Sequence, residues 1–254
     1  MFHDVSPAVA EQTFAYLARH YNIIGLQDYI AIRSNASAKL PLKAMIITFD
    51  DGHVGNRDIL PILRSYKVPV TIFLCAGIVN TNRHYWFQCQ GKNFDSSDLK
   101  RIANQERLEK LAAIGFDQEK EYAERQALSR DEILAMSDVD FQAHTVFHPC
   151  LPQCTDEESQ REIADSKRIL ETEFSLPINA FAFPNGDYGD REIEYLREAG
   201  FDAAVTVKPG FNTLQSDPLQ LGRFCTNDAS NMDELIVKAS GLWGWLRLLL
   251  GKSS

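Results

Sequence analysis

Asp50 and Asp51 stand side by side in Thr48-Phe49-Asp50-Asp51-Gly52, and two neighbouring carboxylates resist joint ionisation unless a cation lies near them. The pair suggests a metal ion, with one acid as its ligand and the other free to take a proton. Alone, an Asp-Asp-Gly tripeptide is more often a solvated turn. A second motif shifts that balance. His144-Thr-Val-Phe-His148-Pro149 supplies two imidazoles of the kind that hold zinc and similar ions. Pro149 biases His148 away from the α region, which places the pair on a strand end and its following loop rather than on one helix face. Asp51, His144 and His148 together make a three-ligand set that leaves a position for water, as a hydrolytic metal site requires.

Such residues need a scaffold. Short apolar, β-rich runs recur at Met45–Phe49, Val68–Leu74, Val139–Ala143, Ala180–Phe183, Ala203–Val207 and Leu219–Phe224, and the residues before Val5 suggest one more strand, about seven in all. Between them lie helix starts: Ser6-Pro7, and capping boxes at Ser129…Glu132, Thr155…Glu158 and Asn231…Glu234. Strands alternating with helices predict a parallel sheet with outer helices, open or closed into a barrel, and the TFDDG and histidine motifs then fall at strand carboxyl ends, where α/β barrels build their sites. The charged, helical-looking stretch from about 81 to 126 breaks this rhythm and reads as an insertion. It carries Tyr85, Trp86 and Phe87, either a sugar-stacking platform or core.

The bulk properties bound the rest. A chain of 254 residues, 44% hydrophobic and 24% charged, is expected to form one domain over 1–254, with a terminal tail from about 241. A net charge of −9 argues against nucleic acid as a partner, since backbone phosphates are held by clustered Lys and Arg. Five cysteines without framework spacing favour free thiols, and the Cys150…Cys154 spacing is weak evidence for metal. No secretory signal opens the chain, which leads to the expectation of a cytoplasmic protein or one peripheral at the inner membrane, or an extracytoplasmic one if a leader has been removed. The apolar run Leu242–Leu250 is too short to span a bilayer; a docked terminal helix is the plainer reading, and a peripheral membrane contact through this tail the alternative.

With these motifs in view, the sequence resembles the polysaccharide deacetylase family, the NodB-homology domain of carbohydrate esterase family 4. TFDDG at Thr48–Gly52 and His144–Pro149 are similar to its first two motifs. Leu128-Ser-Arg-Asp-Glu-Ile, the Asp156–Glu173 helix, Phe181-Ala-Phe-Pro-Asn-Gly186 and the opening Phe2-His3-Asp4-Val5 extend the likeness over most of the chain. The resemblance implies an α/β fold, a distorted seven-stranded (β/α) barrel with a helical insertion. It also implies Asp50 as general base, and Asp51, His144 and His148 as ligands of one divalent ion, Zn²⁺ first, with Co²⁺, Ni²⁺ or Mn²⁺ as alternatives. Pro184, Asn185 and Gly186 match the oxyanion and substrate-binding turn. The implied substrate is an N-acetylated amino sugar in a glycan or its precursor. Two departures stand out. Ala182 replaces the arginine that usually orients the base, and Arg223 stands where the last motif usually has its acid histidine. Arg223 could bind a substrate anion or orient Asp50 by a bidentate pair, and His3 is a secondary candidate for the acid. Alternatives are a deacylase or deformylase of a lipid- or nucleotide-linked sugar, and a non-catalytic sugar-binding relic.

Overall fold

The computed structural model describes residues 1–35, 37–89, 96–226, 228 and 231–243. Its centre is a parallel sheet in the order β3-β4-β5-β6-β7, formed by Ile47–Phe49, Val70–Leu74, Asp140–Ala143, Ala180–Ala182 and Ala203–Val205. All five residues of β4 are buried, as expected of a strand covered on both faces, where β-branched and apolar residues run on without alternation. A separate parallel pair joins β1, Asn22–Ile23, to β2, Ala44–Met45. The expected strand Met45–Phe49 is thus two: its first part pairs with β1, and the chain enters the main sheet after Ile46.

The regular sheet has five strands rather than the seven expected, because the two outer positions shrink to single bridges. Phe2 bridges Phe49 and Leu221 bridges Val205, both in parallel. The first run is cut short by Ser6, whose side chain caps the helix Pro7–His20. In the last, Pro218–Gln220 is a 3₁₀ turn, and beyond Leu221 the Asn212 side-chain amide satisfies both backbone groups of Gly222 in place of a neighbouring strand. Between these outer positions the Met1 amino group donates to the Phe224 carbonyl at 2.9 Å, and Thr226 N–H to the Met1 carbonyl at 3.1 Å.

Helices cover the sheet as the capping chemistry predicts. Ser129 and Thr155 each accept from the N–H three residues on, and Glu132 and Glu158 return the bond. Helix Asp156–Phe174 buries Ser159, Ile163, Ser166, Leu170 and Phe174 along one face, the three-to-four-residue spacing of an amphipathic helix. Helix Pro7–His20 is attached through Phe14, whose ring meets Phe2 and Phe49 at 5.7 and 6.2 Å. The insertion carries helices Ser96–Leu99 and Asn104–Ala112 and a small core of Trp86, Leu99, Leu111, Phe116 and Cys150; its residues 90–95 lie outside the described ones. So do residues 244–254, and with them most of the tail expected to dock or to touch a membrane. Among the described residues no helix is long and apolar enough to cross a membrane.

Removing the Phe14 ring should leave a cavity beneath Phe2 and Phe49. Phe14→Ala is expected to cost about 3–5 kcal/mol in a urea titration, whereas Leu42→Ala, at a residue 87% exposed, should stay within about 0.5 kcal/mol of the parent.

Candidate active site

The sheet delivers its chemistry at one end. Asp50 and Asp51 follow β3, His144 follows β5, Pro184–Gly186 follows β6, and Arg223 comes shortly after the bridge beside β7. Adjacent carboxylates would ordinarily point to opposite sides of an extended chain, but here the backbone turns left-handed at Asp51 (φ 73°) and Gly52 (φ 77°). Glycine is required at the second position: a Cβ there would sit 2.5 Å from Leu74 Cδ2. The turn gives each acid its own partners.

Asp51 takes the histidines. Its Oδ2 accepts from His53 Nε2 at 3.1 Å, while Oδ1 lies 3.4 Å from the Nε2 atoms of both His144 and His148 and has no hydrogen-bond donor. His144 Nδ1 is 2.7 Å from the Ala182 carbonyl. A carbonyl can only accept, so Nδ1 holds the hydrogen of the neutral ring and Nε2 turns a lone pair toward Asp51. Burial pushes His148 down to about 3, against the pull of Asp51, so this ring is neutral as well. The three ligand atoms lie within 4.8 Å of one another. Two imidazole nitrogens crowded this way around a carboxylate oxygen fit a cation between them; two imidazoles and a carboxylate suit zinc or a similar ion.

Asp50 takes Arg223. The guanidinium binds it in a fork, Nη1 to Oδ1 at 2.6 Å and Nη2 to Oδ2 at 2.7 Å, and is itself aligned by Thr206 O at 2.9 Å and Thr48 Oγ1 at 3.1 Å. Of the readings open to Arg223 in the sequence, a substrate anion, Asp50 or plain surface exposure, the structure shows the bidentate pair with Asp50. Ala182 itself is small and buried and offers its carbonyl to His144, so the contact to Asp50 comes from Arg223 instead. Burial pushes Asp50 up, yet the Arg223 charge and hydrogen bonds carry it below the ordinary value. The acid is therefore ionised and fixed in orientation without touching the Asp51 cluster's lone pairs.

The remaining candidates surround this pair. His3 Nδ1 lies 3.2 Å from Asp228 Oδ2; burial lowers its pKa, but Asp228 and the charges of Asp51 and Asp50 raise it on balance. Asn185 (φ 56°) and Gly186 (φ 76°) form a left-handed turn after Pro184, and a Cβ on Gly186 would come 2.8 Å from Val207 N. Tyr85 and Trp86 are buried, which makes them core rather than a sugar platform. Tyr85 donates to Asp51 O at 2.8 Å and Trp86 to His148 O at 2.7 Å, so they brace the backbones of Asp51 and His148. Cys150 and Cys154 are free and buried, and they stand apart from the three-ligand group. Two further residues, His53 and Glu162, belong to the surroundings of the site. The i+2 spacing of His53 from Asp51 was the only signal for the first; nothing local announced the second, whose Oε2 accepts from Val146 and Phe147 N–H.

Comparison with known proteins agrees with this geometry. The family model for polysaccharide deacetylase matches residues 37–204. The chain belongs to the polysaccharide deacetylase family. The match takes in Asp50, Asp51, His144, His148 and Asn185, whereas His3 and Arg223 fall outside it, so their assignment rests on geometry. A Bacillus subtilis (strain 168) protein named provisionally as a polysaccharide deacetylase, YxkH, is 23% identical over 169 residues, which cover 66% of this chain and 46% of that one. The matched segment thus spans just under half of that curated relative. Among solved structures, Streptococcus pyogenes deacetylase PplD in complex with acetate superposes with a TM-score of 0.66 at 20% identity, covering 92% of this chain and 87% of the other. IcaB from Ammonifex degensii gives 0.65 at 18% identity, with 94% and 89% covered. At these identities the likeness is one of fold: an α/β deacetylase fold around a parallel sheet.

The Asp50–Arg223 pair can be tested as a unit. Arg223→Met should strand a buried charge and cost about 3–5 kcal/mol in denaturant unfolding, and the double variant Asp50→Asn/Arg223→Met should recover part of that loss in a double-mutant cycle.

Proposed function

We propose that this polysaccharide deacetylase family member is a metal-dependent hydrolase that removes an acetyl group from an N-acetylated amino sugar in a glycan or glycan precursor. The observation that carries the reading is the division of the two adjacent acids, Asp51 with two neutral imidazoles and Asp50 with one arginine. A divalent ion at Asp51, His144 and His148, Zn²⁺ in the first instance, would supply Lewis acidity to the acyl carbonyl and acidify water beside it.

The protein's own groups account for the proton movements. Asp50, held ionised by Arg223, takes a proton from the attacking water as general base. A backbone N–H of the turn at Asn185 would stabilise the developing oxyanion. His3, whose proton is retained by Asp228, gives it to the leaving amine. The acetate held by PplD supports acetyl as the group removed. A sugar-binding relic accounts poorly for the Asp50–Arg223 pair, since a buried ion pair is weak evidence of stabilisation alone.

The test is metal content by elemental analysis together with acetate release from N-acetylglucosamine oligomers. One equivalent of metal in both wild type and Asp50→Asn, with release reduced at least about a hundredfold in the variant, is the expected result. Wild-type protein that holds no metal would overturn the proposal; metal without acetate release would move the substrate to nucleotide- or lipid-linked sugars. His3 adds a pH dependence. Because its pKa is raised from 6.5, the protonated acid is lost as pH rises through that higher value, and kcat should fall on the alkaline side. His3→Gln should lower kcat and remove that limb; an unchanged profile would exclude His3 as the acid.

A further inference from the structure

His144 and His148 belong to one five-residue loop, and the distance between their Nε2 atoms depends on how that loop is folded. It is an unusual loop, with left-handed backbone at both Thr145 (φ 63°) and His148 (φ 58°), a conformation that costs a non-glycine residue free energy and persists only where surrounding bonds over-determine it. Three sets of bonds do so. The Thr145 and Val146 carbonyls accept from Ala76 and Gly77 N–H, each at 2.9 Å. The Thr145 hydroxyl accepts from His148 N–H at 2.9 Å. The two central amides, Val146 N–H and Phe147 N–H, both point at Glu162 Oε2, at 2.8 and 2.9 Å.

Glu162 comes from helix Asp156–Phe174, which is held on the far side of the loop by its own capping box and apolar face. Its carboxylate touches neither ligand, neither the general base nor the turn at Asn185. A half-buried acid outside the reaction, bonded to consecutive amides between two metal ligands, has a geometric task available to it. From this arrangement, and resting on the metal-dependent reading above, we infer that Glu162 is a positioning residue that sets the spacing of the His144 and His148 imidazoles and thereby the affinity of the site for its metal.

The bonding pattern says which property of Glu162 matters. One oxygen accepts both amides, so a neutral acceptor of the same length can replace it: a glutamine presents its carbonyl oxygen at the same reach. A protonated carboxyl would also keep Oε2 as an acceptor, so the clamp does not depend on charge. Aspartate keeps the charge but is one methylene shorter and falls short of both amides. Reach, not charge, is the determinant.

The experiment measures Zn²⁺ affinity by competition with a chromogenic chelator, on wild type, Glu162→Gln, Glu162→Asp and Glu162→Leu, with thermal melting of each metal-free protein alongside. Supporting partners of metal ligands commonly contribute about 10–100-fold in affinity. Glu162→Asp and Glu162→Leu should therefore bind Zn²⁺ at least about tenfold more weakly, while Glu162→Gln stays close to wild type. If Glu162→Leu does not fold, the order of Gln above Asp decides the question. Asp equal to or tighter than Gln, or wild-type affinity in all three variants, would overturn the assignment of Glu162 while leaving the metal site standing. A wild-type protein without Zn²⁺ affinity would remove the metal reading itself, and this inference with it.

Discussion

Three buried ligand-type atoms that face one another fit a positive charge among them. Asp51 Oδ1 and the Nε2 atoms of His144 and His148 are in that position, and most of what surrounds them serves to hold them there. The Ala182 carbonyl fixes the His144 tautomer. His53 occupies the other Asp51 oxygen. Tyr85 and Trp86 anchor the backbones of Asp51 and His148. Left-handed residues at Asp51, Thr145, His148 and Asn185 concentrate conformational cost in the same place, and a fold accepts such cost where function requires it.

The second organising contact is the fork from Arg223 to Asp50. It keeps the neighbouring acid out of the cluster, which is the division of labour that the proposed reaction requires of the two carboxylates. It also ties the segment after β7 to the end of β3, across the seam where the regular sheet gives way to single bridges. The seam is thus closed by the chemistry of the site as well as by the Met1 and Phe224 backbones.

The parts of this arrangement that lie close together in the sequence could be read from it. Asp50, Asp51, His144 and His148 sit in two short motifs whose residue types restrict the chemistry, and the five central strands follow from continuous apolar runs. What could not be read depends on contacts between distant residues. Arg223 is 173 positions from Asp50, and only the folded chain chooses between a substrate anion and the base as its partner. Glu162 looks like any acidic residue on an amphipathic helix until the loop above it is placed. At the two outer positions a β-rich run does not show that Ser6 will cap a helix at one of them, or that the Asn212 side chain will take over the bonding of Gly222 at the other. Trp86 and Tyr85 had no marking in the sequence to separate core from platform.

The central claim, that a metal ion is held by one carboxylate and two imidazoles, is tested most directly by X-ray absorption at the zinc edge of the loaded protein. The expected first shell holds nitrogen and oxygen only, including two imidazole nitrogens at about 2.0–2.1 Å. A sulfur shell at about 2.3 Å, as Cys150 or Cys154 would give, or a shell without imidazole, would contradict it.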